Sequence, residues 1–370
     1  MQASRKLFFK PDDYFAGLIE DIAAARRVIK MEMYIFELDS VGQAVMRALC
    51  RASQRGVSLR LLIDGIGSWR DAGRIAAQLR SCNGEVRIFH PLPWDFSLYR
   101  RALNAGRWYS QVFYFIASIN HRNHRKLCLI DDRVAWLGSY NITSDHSNPA
   151  SANADYYWHD TGIRVTGPAV ASLVDNADQI WERKMDSVGA RTRQFLASES
   201  IARRRHARLQ LLSLLRGASR RICITNAYFN PSAKVIRTLK RKAKQGVCVQ
   251  LLVPRHSDIL FFPHLSRSFY ADLLQSRIQV FEYHARILHS KTMIIDDYLI
   301  VGSTNLNYRS LLHDLELDLL VTDAGAIGQM EQRFRDDIAG SDEITLANWQ
   351  QHPLLDRLLG LLARFLRYWL

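Results

Sequence analysis

The alternation of apolar and polar positions along this chain changes period in a fixed order, and it does so twice. Residues 26–39 (RRVIKMEMYIFELD) and 57–64 (VSLRLLID) have the β-branched and aromatic runs of strands, whereas AVMRALCRASQRG (44–56) spaces its apolar residues as a helix does. The same order returns in RRICITNAYFNP (220–231), VIRTLKRKAKQG (235–246) and VCVQLLVPR (247–255). In each copy a Gly-Val pair, Gly56-Val57 or Gly246-Val247, marks the helix stop that opens the next strand. Both segments therefore read as βαβ units.

A second shared block follows each unit, HRKLCLIDDRVAWLGSYN (124–141) and HSKTMIIDDYLIVGSTN (289–305). The apolar runs flanking each Asp pair predict β-hairpins turned at Asp131-Asp132-Arg133 and Asp296-Asp297-Tyr298. Strands alternating with helices predict an α/β fold, here built twice, with a mostly interior mixed sheet in each half flanked by helices. The expected units are residues 1–195, residues 196–345 and a C-terminal amphipathic basic segment, 346–370. SIARRRHARLQLLSLLRGASRR (200–221) holds seven arginines and no acid; it reads as the opening helix of the second half, its basic face either a polyanion contact or a solvated surface.

The repeated blocks also repeat their chemistry. Each contains His-x-Lys, an Asp five residues after the Lys, and Gly-Ser-x-Asn: His124, Lys126, Asp131, Gly138, Ser139 and Asn141, then His289, Lys291, Asp296, Gly302, Ser303 and Asn305. Residues two apart on a strand share a face, so each His projects with its Lys. Two lysines, two Asn side chains and two Ser hydroxyls could surround a phosphoryl group at the seam of the halves, with one imidazole to attack phosphorus and the other to protonate the leaving oxygen. Asp160 and Glu316, downstream of the two blocks, are candidates to orient the imidazoles through their second nitrogen, with Asp314 and Asp318 competing with Glu316 on spacing. His121 and His284 have no counterpart in the other half and read as channel or surface residues. Six residues separate Asp131 from Gly138 but only five separate Asp296 from Gly302, a difference that a shorter turn could absorb.

Composition narrows the partner. With 370 residues, 48% hydrophobic and 23% charged, the chain is a folded protein, and its net charge of +14 favours a polyanion, either nucleic acid or an anionic membrane surface. No secretory signal is visible at the start, and the uncharged run QVFYFIASIN (111–120) is too short to span a bilayer. The five cysteines, Cys50, Cys82, Cys128, Cys223 and Cys248, lack metal-ligand spacing and read as core residues of a reducing compartment. The insertion 91–126 interleaves Trp, Tyr and Phe with Arg, and HPLLDRLLGLLARFLRYWL (352–370) sets leucines at helical spacing among arginines. The latter suits a helix lying in a membrane interface or one packed on the protein itself.

The duplicated motif resembles that of the phospholipase D superfamily, over essentially the whole chain. Within it, MYIFELDSVG, VSLRLLIDGIGS, TNAYFNP, ILHSKTMIIDD and GSTNLNYRS look like the bacterial cardiolipin synthases that lack N-terminal membrane spans. The resemblance implies pseudo-two-fold halves around one active site, a phosphohistidine intermediate with His124 the nucleophile and His289 the general acid and base, and motif aspartates that anchor structure. It implies neither a metal nor a cofactor. The implied reaction moves a phosphatidyl group to phosphatidylglycerol from a phospholipid, either phosphatidylglycerol or phosphatidylethanolamine, on the cytoplasmic side of the inner membrane without a nucleic-acid partner. Hydrolysis by the same intermediate, or a nuclease activity, are the alternatives.

Overall fold

The computed structural model describes residues 4–91, 121–146, 157–184 and 194–350. Most of the aromatic insertion and nearly all of the segment 346–370 lie outside these residues.

Two mixed sheets form the frame. The first holds β1 (Arg5–Phe8), β2 (Val28–Met33), β3 (Ser58–Asp64), β4 (Glu85–Phe89), β5 (Leu127–Ile130), β6 (Val134–Gly138) and β7 (Gly162–Thr166), in the order β1-β7-β6-β5-β2-β3-β4. The second holds β8 (Phe195–Ala197), β9 (Arg221–Asn226), β10 (Cys248–Pro254), β11 (Gln279–Tyr283), β12 (Lys291–Ile295), β13 (Tyr298–Gly302), β14 (Leu317–Val321) and β15 (Ser341–Ile344), in the order β15-β11-β10-β9-β12-β13-β14-β8. Without β15 the two orders coincide strand for strand, and so do the directions. β2, β3 and β4 run parallel, as do β9, β10 and β11, while β5 to β7 and β12 to β14 are antiparallel. The duplicated α/β architecture expected from the sequence is thus present.

Local chemistry explains the boundaries. The helix Ser40–Gln54 begins where Asp39 accepts the Gly42 N–H, and the helix Ile201–Gly217 where Ser200 accepts from Arg203. The helices before β3 and β10 end at Gly56 and Gly246, whose φ of 91° and 89° lie in the left-handed region that stops a helix. Cys50 and Cys82 correct the expectation of five core thiols: their helices bring the Cα atoms within 5.2 Å and the two form a disulfide. Cys128 and Cys223 are buried, and Cys248 is exposed.

The halves do not stand apart. Leu129, Leu137, Ile163 and Leu173 from the first share a core with Leu252, Ile294, Leu299 and Leu319 from the second. Burying such side chains contributes roughly 1.5–3 kcal/mol each, so the seam is a stabilising contact and a fixed one. The strand ends that carry both histidines meet there.

Candidate active site

The hairpins settle the register first. In one, Ile130 faces Val134 across a three-residue turn; in the other, Ile295 faces Tyr298 across two residues. The missing residue is absorbed in the turn, and Gly138 and Gly302 keep equivalent places beside Gly162 and Asp318. Glycine is required at both: a Cβ would come within 2.3 Å of the Thr161 carbonyl oxygen at one and 2.1 Å of the Asp318 carboxylate at the other.

Asp131 and Asp296 sit in these turns, at the far end of the strand from each histidine. Asp131 accepts the N–H groups of Arg26, Arg27 and Val28, at 2.9, 2.7 and 3.0 Å. Asp296 does the same for Ser219, Arg220 and Arg221, at 2.7, 2.9 and 3.0 Å. Partial burial disfavours the Asp296 anion, but these donors outweigh it and bring the carboxyl down to about 2. Both aspartates tie the hairpin to the start of its neighbouring strand, β2 or β9, and neither reaches a histidine.

The two histidines are placed by bridges between the halves. Asn123 pairs with Leu315 and His159 with Leu288, and the His124 N–H donates to the Leu315 carbonyl at 3.0 Å. The residue after each bridge partner is a carboxylate, and it therefore faces the histidine of the opposite half. His124 Nδ1 lies 3.0 and 3.1 Å from the Glu316 oxygens, and His289 Nδ1 lies 2.7 Å from Asp160 Oδ1. Each carboxylate thus serves the motif of the other half, an exchange that spacing alone does not reveal. Of the rivals, Asp314 accepts the Arg122 N–H and pairs with Arg309, and Asp318 accepts the Thr304 N–H.

Around this pair the cations are close and dry. Lys126 Nζ donates to the His124 carbonyl at 2.7 Å, and Lys291 donates to that of His289. Tyr34 and Tyr228, absent from the expected set, pack beside them: Lys126 Nζ is 5.0 Å from the Tyr34 ring centre, and Lys291 Nζ is 5.9 Å from that of Tyr228. Burial brings Lys126 down to about 7 against the pull of Glu316, and Lys291 down to about 8 against that of Asp160. Burial, then Lys126 and Lys291, hold His124 well below its ordinary range, so both lysines act on the same imidazole. Burial raises Glu316 to about 7, whereas Asp160, although burial opposes it, is held well below the usual carboxylate range by His146 and His289.

The serines and one Asn are engaged elsewhere. Ser139 exchanges hydrogen bonds with the Thr161 backbone, and Ser303 donates to Glu316 at 2.5 Å while accepting from Leu317 at 3.0 Å. Asn141 Oδ1 accepts the Ile35 N–H at 3.4 Å. Asn305 Oδ1 is buried with no hydrogen-bond partner among the described residues. Of the six expected phosphate donors, Ser139, Ser303 and the Asn141 oxygen are thus occupied by the frame around the histidines. His121 offers its carbonyl to His90 Nδ1 at 2.8 Å, and His284 is exposed beside Asp342.

Among the described residues, His146, Asp160 and His289 offer ligand atoms within 4.8 Å of one another. Here the carboxylate bridges the two imidazoles by hydrogen bonds, at 2.5 and 2.7 Å, so each Nδ1 is used as a donor.

Two buried imidazoles just ahead of the equivalent strands β5 and β12 of a duplicated α/β frame define an enzyme of the phospholipase D class. The family model described as "Cardiolipin synthase, PLD-like domain" matches residues 18–181 and 211–338. Cardiolipin synthase B of Salmonella typhi is 30% identical over 345 residues, covering 89% of this chain and 78% of that one. Cardiolipin synthase of Clostridium perfringens is 24% identical, covering 95% and 74%. Phosphatidylserine synthase of Haemophilus influenzae shares the fold, with a TM-score of 0.70 at 14% identity over 99% of this chain and 95% of that one. The chain belongs to the cardiolipin synthase family of the phospholipase D superfamily and is a phosphatidyltransferase.

Proposed function

We propose that the protein makes cardiolipin by moving a phosphatidyl group onto the glycerol hydroxyl of phosphatidylglycerol through a phosphohistidine. His124 Nε2 attacks phosphorus, and the bond to the donor head group breaks as His289, which enters the step with a second proton taken up on Nε2, gives that proton to the leaving oxygen. His289 then takes the proton of the acceptor hydroxyl, whose oxygen displaces His124. The observation that carries this reading is the pair of buried imidazoles, each with Nδ1 on a carboxylate, in a chain of this family. The carboxylates suit the two roles. Burial, then Lys291, bring His289 down to about 3 against the pull of Asp160, so its imidazolium gives up a proton readily and Asp160 supports it only in part, while Glu316 offsets the charge that His124 gains on bonding to phosphorus.

A lipid substrate fits the surroundings. The Ser68 hydroxyl donates to the Tyr34 carbonyl at 3.0 Å, and the next residue, Trp69, is 55% exposed. On the other half the Phe262 ring is 4.6 Å from that of Tyr228, and the preceding Leu260 and Phe261 are 85% and 37% exposed. Apolar side chains exposed on both loops beside the site suit a membrane interface. Among the described residues no helix is long and apolar enough to cross a membrane. We place the enzyme peripherally on the cytoplasmic side of the inner membrane, where Cys50 and Cys82 would be reduced; their disulfide found in protein alkylated inside intact cells would move it to an oxidising compartment.

The test is incubation with phosphatidylglycerol vesicles, with and without phosphatidylethanolamine, followed by lipid analysis. Cardiolipin should form in wild type and in neither His124→Ala nor His289→Ala. Phosphatidic acid in place of cardiolipin would refute transfer in favour of hydrolysis.

A further inference from the structure

The two carboxylates that hold the histidines are not themselves held in the same way. Glu316 accepts hydrogen bonds from the hydroxyls of Ser303 and Ser310. Ser310 stands five residues after Asn305; the residue five after Asn141 is His146. At that equivalent place His146 sets Nδ1 2.5 Å from Asp160 Oδ2, while His289 takes the other oxygen at 2.7 Å. The His146 side chain is fully buried in the short turn Ser144–His146, with its ring centre 4.8 Å from that of Trp158 and 5.3 Å from that of His289.

The proton positions follow by elimination. The Ile35 N–H donates to Asn141 Oδ1, which turns Asn141 Nδ2 towards His146 Nε2, 3.4 Å away. An amide N–H only donates, so Nε2 accepts and the proton of neutral His146 lies on Nδ1, pointing at Asp160. An ionised carboxylate only accepts, so His289 also carries its proton on Nδ1 and its lone pair on Nε2. The donors thereby run in one direction from Ile35 through Asn141 and His146 to Asp160, where His289 donates from the opposite side.

We infer that His146 is a positioning residue for the transfer reaction: it locks Asp160 and, through it, the Nδ1–H tautomer of His289, leaving Nε2 to exchange the proton of the head group. Asn141 fixes this run of donors from the other end. This rests on the reading of His289 as a reacting histidine. Besides the two imidazoles, the charged and titratable groups that feel Asp160 are Lys126, Lys291, Tyr14, Tyr140 and Tyr228. None of these takes the place of the His146 contact at Oδ2.

The experiment compares His146→Leu with His146→Gln, whose amide N–H can still donate to Asp160. The readouts are cardiolipin formation across pH and the imidazole nitrogen shifts of His289 in the resting enzyme. His146→Leu should lower kcat about 10- to 100-fold with KM changed less than about threefold, as loss of an orienting partner does. It should also mix the His289 tautomers, because Asp160 loses the contact that holds its second oxygen, while the limb set by Glu316 at about 7 should stay where it is. His146→Gln should recover kcat to within about fivefold and keep the Nδ1–H tautomer. A leucine variant with wild-type kcat and an unchanged His289 tautomer overturns the inference, as does a glutamine variant no better than leucine. If His146→Leu does not fold, Asn141→Leu takes its place with the same readouts. Wild type without transferase activity would defeat the functional reading alone, since the tautomer measurement stands without turnover.

Discussion

Replacing Glu316 by Gln should separate what this carboxylate does for catalysis from what it costs the fold. The side chain is 1% exposed, and burial raises its carboxyl from an ordinary 4.5 to about 7, against the pull of Lys126 and the Ser303 and Ser310 hydroxyls. A group whose folded pKa exceeds its unfolded one stabilises the fold below the unfolded value and loses that contribution as pH rises through the folded value. The interval from 4.5 to about 7 corresponds to about 3 kcal/mol, which at pH 8 is the cost of the buried anion. Glu316→Gln keeps the shape and removes the charge. The variant should therefore be more stable than wild type by up to about 3 kcal/mol at pH 8, with the difference vanishing towards pH 4.5.

Turnover should move the other way. Without the anion opposite Nδ1, the phosphorylated His124 loses its counter-charge, and kcat should fall by about 10²- to 10⁴-fold. Wild-type kcat should decline as pH falls through about 7, because Glu316 takes up a proton there, and the variant should lack that limb. Urea unfolding at pH 5 and pH 8, together with kcat across the same range, measures both halves of the claim. A stability gap independent of pH, or a variant that keeps wild-type kcat, would contradict the charge assigned to Glu316.

Other outcomes follow from the same contacts. Asp296→Ala removes the acceptor of three backbone N–H groups and should cost about 1–3 kcal/mol in urea unfolding while sparing kcat of the folded fraction; lost turnover at an unchanged midpoint would put Asp296 in the chemistry. Lys126 and Lys291 titrate at about 7 and 8, so tungstate bound as a phosphate mimic should weaken as pH rises through that window, and calorimetry showing constant affinity from pH 6 to 9 would remove the lysines from the anion site. Trp69→Ser combined with Leu260→Ser and Phe261→Ser should reduce sedimentation with phosphatidylglycerol vesicles by at least about 10-fold, given roughly 1.5–3 kcal/mol for each large side chain moved from water into lipid. Unchanged binding would place the membrane contact elsewhere on the protein.

What was legible in the sequence was whatever the halves share. The βαβ units, the hairpins and both His-x-Lys pairs come from local period and turn chemistry, which act alike in each copy. The one-residue difference between the blocks was legible too, and its consequence stays within the turn. The exchange of carboxylates was not, because Glu316 meets His124 only through the bridge of Asn123 to Leu315, a contact between the two sheets. The Ser and Asn residues of Gly-Ser-x-Asn looked like phosphate donors because they are small, polar and duplicated, yet Ser139 and Ser303 are consumed by the backbone and the carboxylate behind the imidazoles.

The repeat that reveals the site also masks its asymmetry. His121, His284 and His146 all lack a histidine at the matching place in the other half, yet the equivalent of His146, Ser310, braces its carboxylate with a different side chain. A repeat filtered by residue identity loses such pairs; filtered by position, it keeps them. The asymmetry is what two successive steps at one phosphorus require, since one imidazole must bond to phosphorus and the other must hold and return a proton. Burial leaves Glu316 near neutrality despite its two hydroxyls, whereas His146 and His289 keep Asp160 charged despite burial. Identical braces would make the imidazoles interchangeable. Duplication supplies two histidines, and the residue five positions beyond each motif Asn sets them apart.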